Sequence, residues 1–161
     1  MMQKESNKLA RNTSIMLSKS SAAFDTINEF MSRRVLDAAK EISKHQGILD
    51  NEQLIKYAYQ QNVDVIYFYN SQGEILASNS GEFIGWKSFD GHPVERFRTS
   101  DLSLLVEDIR LDVETKLHFK YAYVRLGQEY FVQIGIYAED VYQYRSEERR
   151  GGKECIYRWS P

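Results

Sequence analysis

Cysteine is almost missing from this chain of 161 residues: Cys155 is the only one. It falls in the last seventeen residues, so everything before it is without disulfides, cysteine nucleophiles and thiolate metal sites. Such a composition suits any cellular compartment. No run of about 18 apolar residues occurs, which excludes a transmembrane helix within the chain. The opening Met-Met-Gln-Lys-Glu-Ser-Asn-Lys lacks the apolar core of a signal peptide. The chain is therefore expected to be water-soluble as it stands, which leaves its parent protein open. A net charge of -2 provides no electrostatic footprint for nucleic acid. The three histidines, His45, His92 and His118, share no metal-ligand spacing and are expected at surface or linker positions. Ser20-Ser21 and Ser78-Asn79-Ser80 have neither the glycine elbow nor the base that a nucleophilic serine needs. With no such constellation, neither an enzyme nor a bound cofactor or metal is expected.

What is present is a folded composition. Hydrophobic residues make up 42% and aromatics 13%, including eleven tyrosines, enough for one domain with a substantial core. The organising stretch is Leu117 to Ala138. Leu117, Phe119, Tyr121 and Tyr123 alternate with His118, Lys120, Ala122 and Val124, and a second alternation follows from Tyr130 to Tyr137. Period-two runs of β-branched and aromatic residues on both sides of Gly127-Gln128 predict a β-hairpin. Large side chains on both faces imply a sheet covered on both sides.

Ahead of it, neither Pro nor Gly occurs from Ser6 to Lys44, and apolar residues recur at helical spacing. Leu9, Met16, Ala23 and Phe30 fall seven apart; Ile27, Met31, Val35, Ala38 and Ile42 follow at three- and four-residue steps. A helix of about 39 residues would run roughly 58 Å. Its C-terminal half is expected on the sheet. Its N-terminal half is expected to project as a stalk or to pair with a second copy, the alternative being one long core helix with a frayed end. Asp50 with Gln53 reads as a capping box for a short helix over 51–61. Strands are expected at Val63–Tyr69 and Glu74–Ser78 around the turn Asn70–Gly73, and at Leu104–Val113. Between them, residues 79–102 form an irregular crossover rich in aromatics, of the kind that folds over a pocket as a lid.

The fold class is thus α+β, a long and a short helix packed on a five-stranded antiparallel sheet. The expected divisions are a stalk or packing helix at 1–45, a core at 46–144 and a tail at 145–161. Ala138 to Tyr144 reads as the start of a further helix. The tail resembles the translation of a widely used DNA-sequencing adapter: Arg145 to Arg150, Gly152 to Cys155 and Arg158 to Pro161 match, while Gly151 and Ile156-Tyr157 depart. It is set aside as non-native, the alternative being a charged native tail. Removing its five basic and three acidic residues from the 21 and 23 leaves 16 and 20, net -4.

The order long helix, IYFYNSQGEILASN (66–79), FIG (83–85), DIRLDVET (108–115), KYAYVRL (120–126) and YFVQIGI (130–136) resembles the PAS-like Cache sensor domains of bacterial receptors. The resemblance covers residues 20 to 141. It implies a domain outside the cytoplasmic membrane that binds a small metabolite, of the amino-acid or organic-acid class. It further implies control of a chemotaxis, histidine-kinase or diguanylate-cyclase module, with homodimerisation through the N-terminal helix. The membrane would be reached only through flanking helices that this chain lacks, making it a fragment. The rival reading is a cytoplasmic PAS-like module for dimerisation and signal relay without ligand.

A pocket is expected between the sheet and the crossover, built from Tyr67, Tyr69, Trp86, Arg98, Tyr121, Tyr123 and Gln133. Tyrosines supply an apolar wall with a polar tip. Arg98 could clamp a carboxylate bidentately, and Gln133 can both donate and accept. Each has a plainer reading, the aromatics as core and Arg98 as an exposed loop charge. Glu107, Asp108, Asp112 and Glu114, interleaved with Arg110 and Lys116, read as a solvated or edge-protecting strand pattern.

Overall fold

The computed structural model describes the backbone of residues 2–139 and the side chains of 22–139. The expected helix start at 138–144, beyond Glu139, and the tail at 145–161 lie outside the described residues. The chain divides into two compact units, Met31–Tyr137 and Met1–Phe30 with Ala138–Pro161. No helix among the described residues is long and apolar enough to cross a membrane.

Helix α1 spans Met2–Ser43. Within the larger unit its residues Met31, Val35, Ala38, Ala39 and Ile42 are buried, at the three- and four-residue spacing of one helical face. Helix α2, Asn51–Gln61, begins at Asp50, whose carboxylate accepts from Gln53 N while the Gln53 side chain accepts from Asp50 N. This capping box satisfies two otherwise orphaned amides. Asn62, in the left-handed region, ends the helix.

The sheet runs β2-β1-β6-β5-β3, with strands β1 Val65–Asn70, β2 Ile75–Ser78, β3 Leu104–Val106, β5 His118–Leu126 and β6 Tyr130–Tyr137. All pairings are antiparallel. The hairpin β5–β6 holds its centre, paired from Phe119↔Tyr137 to Leu126↔Tyr130.

The single strand expected over 104–113 is instead two. Strand β4, Arg110–Leu111, pairs with β5 separately from β3. Val106 faces Ala122 while Arg110 faces Phe119, so four steps on one strand answer three on the other. The extra residue is a bulge, and it re-aims the side chains that follow.

One sheet face carries Ile66, Phe68, Ala122, Val124, Val132 and Ile134, all buried. The buried stripe of α1 with Leu54 and Ala58 of α2 is the apolar surface available to cover it. The opposite face carries Tyr69, Ile75, Phe119, Tyr121, Tyr123 and Phe131, in one cluster with Val94 and Phe97 from the crossover. Inside that crossover the chain forms a short helix, α3, at Pro93–Arg98, with proline in its first turn.

The crossover is fastened at both ends. Near its start, Ile75 N donates to Trp86 O at 2.9 Å and Ser88 N to Gly73 O at 2.9 Å. Past α3, the Arg125 guanidinium donates to Phe97 O at 2.6 Å, Ser100 O at 2.7 Å and Leu102 O at 2.7 Å, stacking over the Phe97 ring at 4.5 Å. Residues 89–96 lie between these two anchors.

Candidate functional site

Strand register assembles the site. Tyr67 pairs with Gln133 and Gln133 with Tyr123, so β1, β6 and β5 present these three side chains in a row on the crossover side. Tyr69 and Tyr121 stand one pleat away on the same face. Tyr67, Tyr69, Ile75 and Gln133 form the floor of a cavity of about 20 Å³. Phe83, Trp86 and His92 of the crossover line it from above, and Asp112 and Glu114 from the side.

The polar groups beneath are linked. Tyr69 OH donates to Gln133 Oε1 at 2.7 Å, and Gln133 Nε2 donates to Tyr123 OH at 3.4 Å. Arg110 Nη2 donates to the same hydroxyl at 3.1 Å. Arg110 Nε reaches both Glu107 carboxylate oxygens at 3.3 Å, Nη1 lies 3.8 Å from Asp112 Oδ1, and the guanidinium stacks over the Tyr121 ring at 4.7 Å. Asp112 accepts from Tyr121 OH at 2.9 Å, and from Thr115 N and Oγ1 at 2.8 and 2.9 Å.

Burial sets the protonation of these groups. It pushes the Tyr67 hydroxyl up to about 12, with the carboxylates of Asp112 and Glu82 adding to the shift. Tyr69, Tyr121 and Tyr123 are raised as well, again by burial first, so all four phenols remain protonated donors at neutral pH. Burial alone would lower Arg110, yet Tyr123 and Glu107 outweigh it and the guanidinium is held charged. His92 is lowered by burial and then by the Arg110 charge, against an opposing pull from Glu114, Asp112 and Glu107.

Of the residues singled out in the sequence, Tyr67, Tyr69, Trp86 and Gln133 line the cavity, and Tyr121 and Tyr123 join through the network. Arg98 does not reach it. Its guanidinium pairs with Glu95 one turn back in α3 and donates to Ser71 O at 3.4 Å, tying α3 to the β1–β2 turn. The cation beside the tyrosines is Arg110.

Two expectations are corrected. The charged run 107–116 is a solvated edge only in part: Asp108, Glu114 and Lys116 are exposed as expected, whereas Asp112 is 7% exposed and the side chains of Glu107 and Arg110 are 9% and 16% exposed. The bulge between β3 and β4 turns these three toward the tyrosine face, and their opposite charges make that burial tolerable. Nor is His92 a surface residue. It is 6% exposed, between the rings of Trp86 at 4.9 Å and Phe89 at 5.2 Å. The one signal in the sequence was Gly-His-Pro, a histidine placed to cap a helix that opens on proline.

No protein-family model and no curated protein matches the sequence. Solved structures do match in shape. An extracellular ligand-binding receptor from Desulfohalobium retbaense DSM5692 superposes with a TM-score of 0.58 at 14% identity, over 86% of this chain and 27% of that one. The sensory domain of the Campylobacter jejuni chemoreceptor Tlp3, solved with isoleucine bound, gives 0.57 at 15% identity, over 90% and 66%. The E. coli DcuS sensor domain gives 0.50 at 10% identity, over 74% of this chain and 97% of that one. The chain therefore spans about a quarter of the first receptor and about two-thirds of the Tlp3 domain. It shares the fold of receptor sensor domains, the architecture implied by its resemblance to PAS-like Cache domains.

Proposed function

We propose that this chain is the small-molecule-sensing input domain of a bacterial membrane receptor, held on the extracytoplasmic side by flanking helices of its parent and acting without catalysis. The supporting observation is the hydrogen-bonded polar row Tyr69–Gln133–Tyr123–Arg110, set under an aromatic crossover on one sheet face. Buried polar groups in such a row narrow what can enter, because an occupant must match them. The Tlp3 domain of the same fold was solved with isoleucine and with L-valine. Around this cavity the carboxylates of Glu107, Asp112 and Glu114 outnumber the single Arg110 guanidinium. That balance suits a ligand carrying an ammonium group, an amino acid ahead of an organic diacid.

A second reading, dimerisation and relay without ligand, has its own support in the cavity's size. About 20 Å³ holds one water, far below the roughly 300 Å³ of small-molecule sites. Binding therefore requires the 89–96 stretch to lift. A thermal-shift and calorimetric panel of amino acids and dicarboxylates on the full chain separates the readings. An α-amino acid is expected to raise the melting temperature, and Glu114→Gln to weaken its binding roughly tenfold, by loss of one charge-assisted contact of about 1.5 kcal/mol. No shift from any compound at millimolar concentration would favour the relay module.

The homodimer is proposed to form along α1 ahead of Met31, where Phe30 is 60% exposed. Light scattering is expected to give twice the chain mass for the full chain, and the monomer mass once residues 1–30 are removed. Reads of the gene across codons 1 and 144 should place an apolar helix on each side.

A further inference from the structure

His92 Nε2 is a buried polar atom with no hydrogen-bond partner. The other ring nitrogen is occupied: Nδ1 accepts from Val94 N at 3.2 Å and so caps α3. Accepting there means that Nδ1 carries no hydrogen, which places the ring proton on Nε2. Nε2 points to Glu114 Oε1 at 3.6 Å, too far for a hydrogen bond, across the cavity that Asp112 and Tyr67 also line.

We propose that His92 is a proton-operated latch on the crossover, closed while its ring is neutral and released when the ring is protonated. A second ring proton has to go on Nδ1, where it faces the Val94 N–H, donor against donor. The cap is lost, and the imidazolium is drawn toward Glu114. Helix α3 has six residues. Its first turn is held by that cap together with Glu95 N donating to His92 O at 3.0 Å and Ser88 Oγ donating to Glu95 Oε1 at 2.8 Å, so losing the cap leaves the Val94 amide without its partner. Val94 and Phe97 of α3 are the residues that close the crossover onto the sheet, with Phe97 stacked on Tyr123 at 5.4 Å. His92 sits in the 89–96 stretch between the two anchors, where loosening can open the cavity without detaching the crossover.

The charged groups facing the ring are Glu114, Asp112 and Glu107, which favour its protonation, and Arg110, which opposes it. Burial adds to the opposition, so the latch stays closed at neutral pH and opens on acidification below the usual histidine range. The device is a property of the protein alone and does not depend on the ligand reading.

The test uses the full chain without ligand. Imidazole NMR at pH 7.5 is expected to show the proton on Nε2, and the Val94 amide protection factor is expected to fall at least tenfold between pH 7.5 and pH 5. His92→Asn caps through its side-chain oxygen and cannot titrate, so its protection factor should change less than twofold over the same range. A ring with its proton on Nδ1 at pH 7.5 would overturn the latch, as would the same pH dependence in His92→Asn as in the parent. The ring measurement needs no substitution, so a variant that fails to fold leaves the question answerable.

Discussion

Replacing Arg110 with methionine is expected to lower the unfolding free energy by about 3 kcal/mol at neutral pH, the largest effect of any single substitution considered. The side chain is 16% exposed and is the cation serving Glu107 at 3.3 Å and Asp112 at 3.8 Å, whose own side chains are 9% and 10% exposed. Methionine fills much of the same volume but leaves two carboxylates buried together without a counter-charge. Removing one member of a buried ion pair costs about 3–5 kcal/mol, and the long contacts here favour the lower end. The hydrogen bond to Tyr123 OH and the stacking over Tyr121 are lost as well. Urea unfolding with an unchanged slope would measure the loss. One control separates charge from packing. Adding Glu107→Gln to the variant should recover more than about 1 kcal/mol in a double-mutant cycle, and no recovery would assign the loss to packing.

Gly135→Ala is expected to cost about 2 kcal/mol, for a different reason. The backbone at Gly135 is ordinary strand; what it lacks is room. A Cβ there would stand 2.5 and 2.8 Å from Tyr121 Cε1 and Cδ1, and 2.6 Å from Val65 Cγ2. The Tyr121 ring is 1% exposed, and its hydroxyl is tied to Asp112 at 2.9 Å, so it has nowhere to swing. The methyl group is accommodated only by separating β5 from β6 or by breaking the Tyr121–Asp112 hydrogen bond. For a domain of about a hundred residues this corresponds to a melting temperature lower by roughly 8 °C. The near-ultraviolet signal of the buried tyrosines should change with it. A melting temperature within about 1 °C of the parent would mean that the ring is free to move.

Both substitutions act on the site that is hardest to see from sequence. Tyr67, Tyr69, Tyr121, Tyr123 and Gln133 could be placed on one face because period two in a strand is a local geometric fact. Their grouping into one site needed only the hairpin and its neighbour in register. Arg98 and Arg110 could not be told apart that way. Both are arginines among acidic residues, and nothing local distinguishes a guanidinium paired within its own helix from one turned under a sheet. The difference lies in a one-residue bulge between Val106 and Arg110, visible only when β5 supplies the partners against which steps are counted.

By itself the sequence determined the parts governed by short-range physics. These are the long helix free of Pro and Gly, the Asp50–Gln53 capping box, the β5–β6 hairpin, and the α+β class that follows from their order. Each depends on contacts within a few residues, where propensity, capping and side-chain period act directly. The tertiary structure alone decided which charges are buried, which arginine meets the tyrosines, and that His92 faces a cavity while capping α3. Those outcomes rest on pairs far apart in the chain, such as Gln133 with Tyr69 and Arg125 with Phe97. Desolvation and Coulomb energy depend on the distance and burial that folding creates, and residue order carries neither.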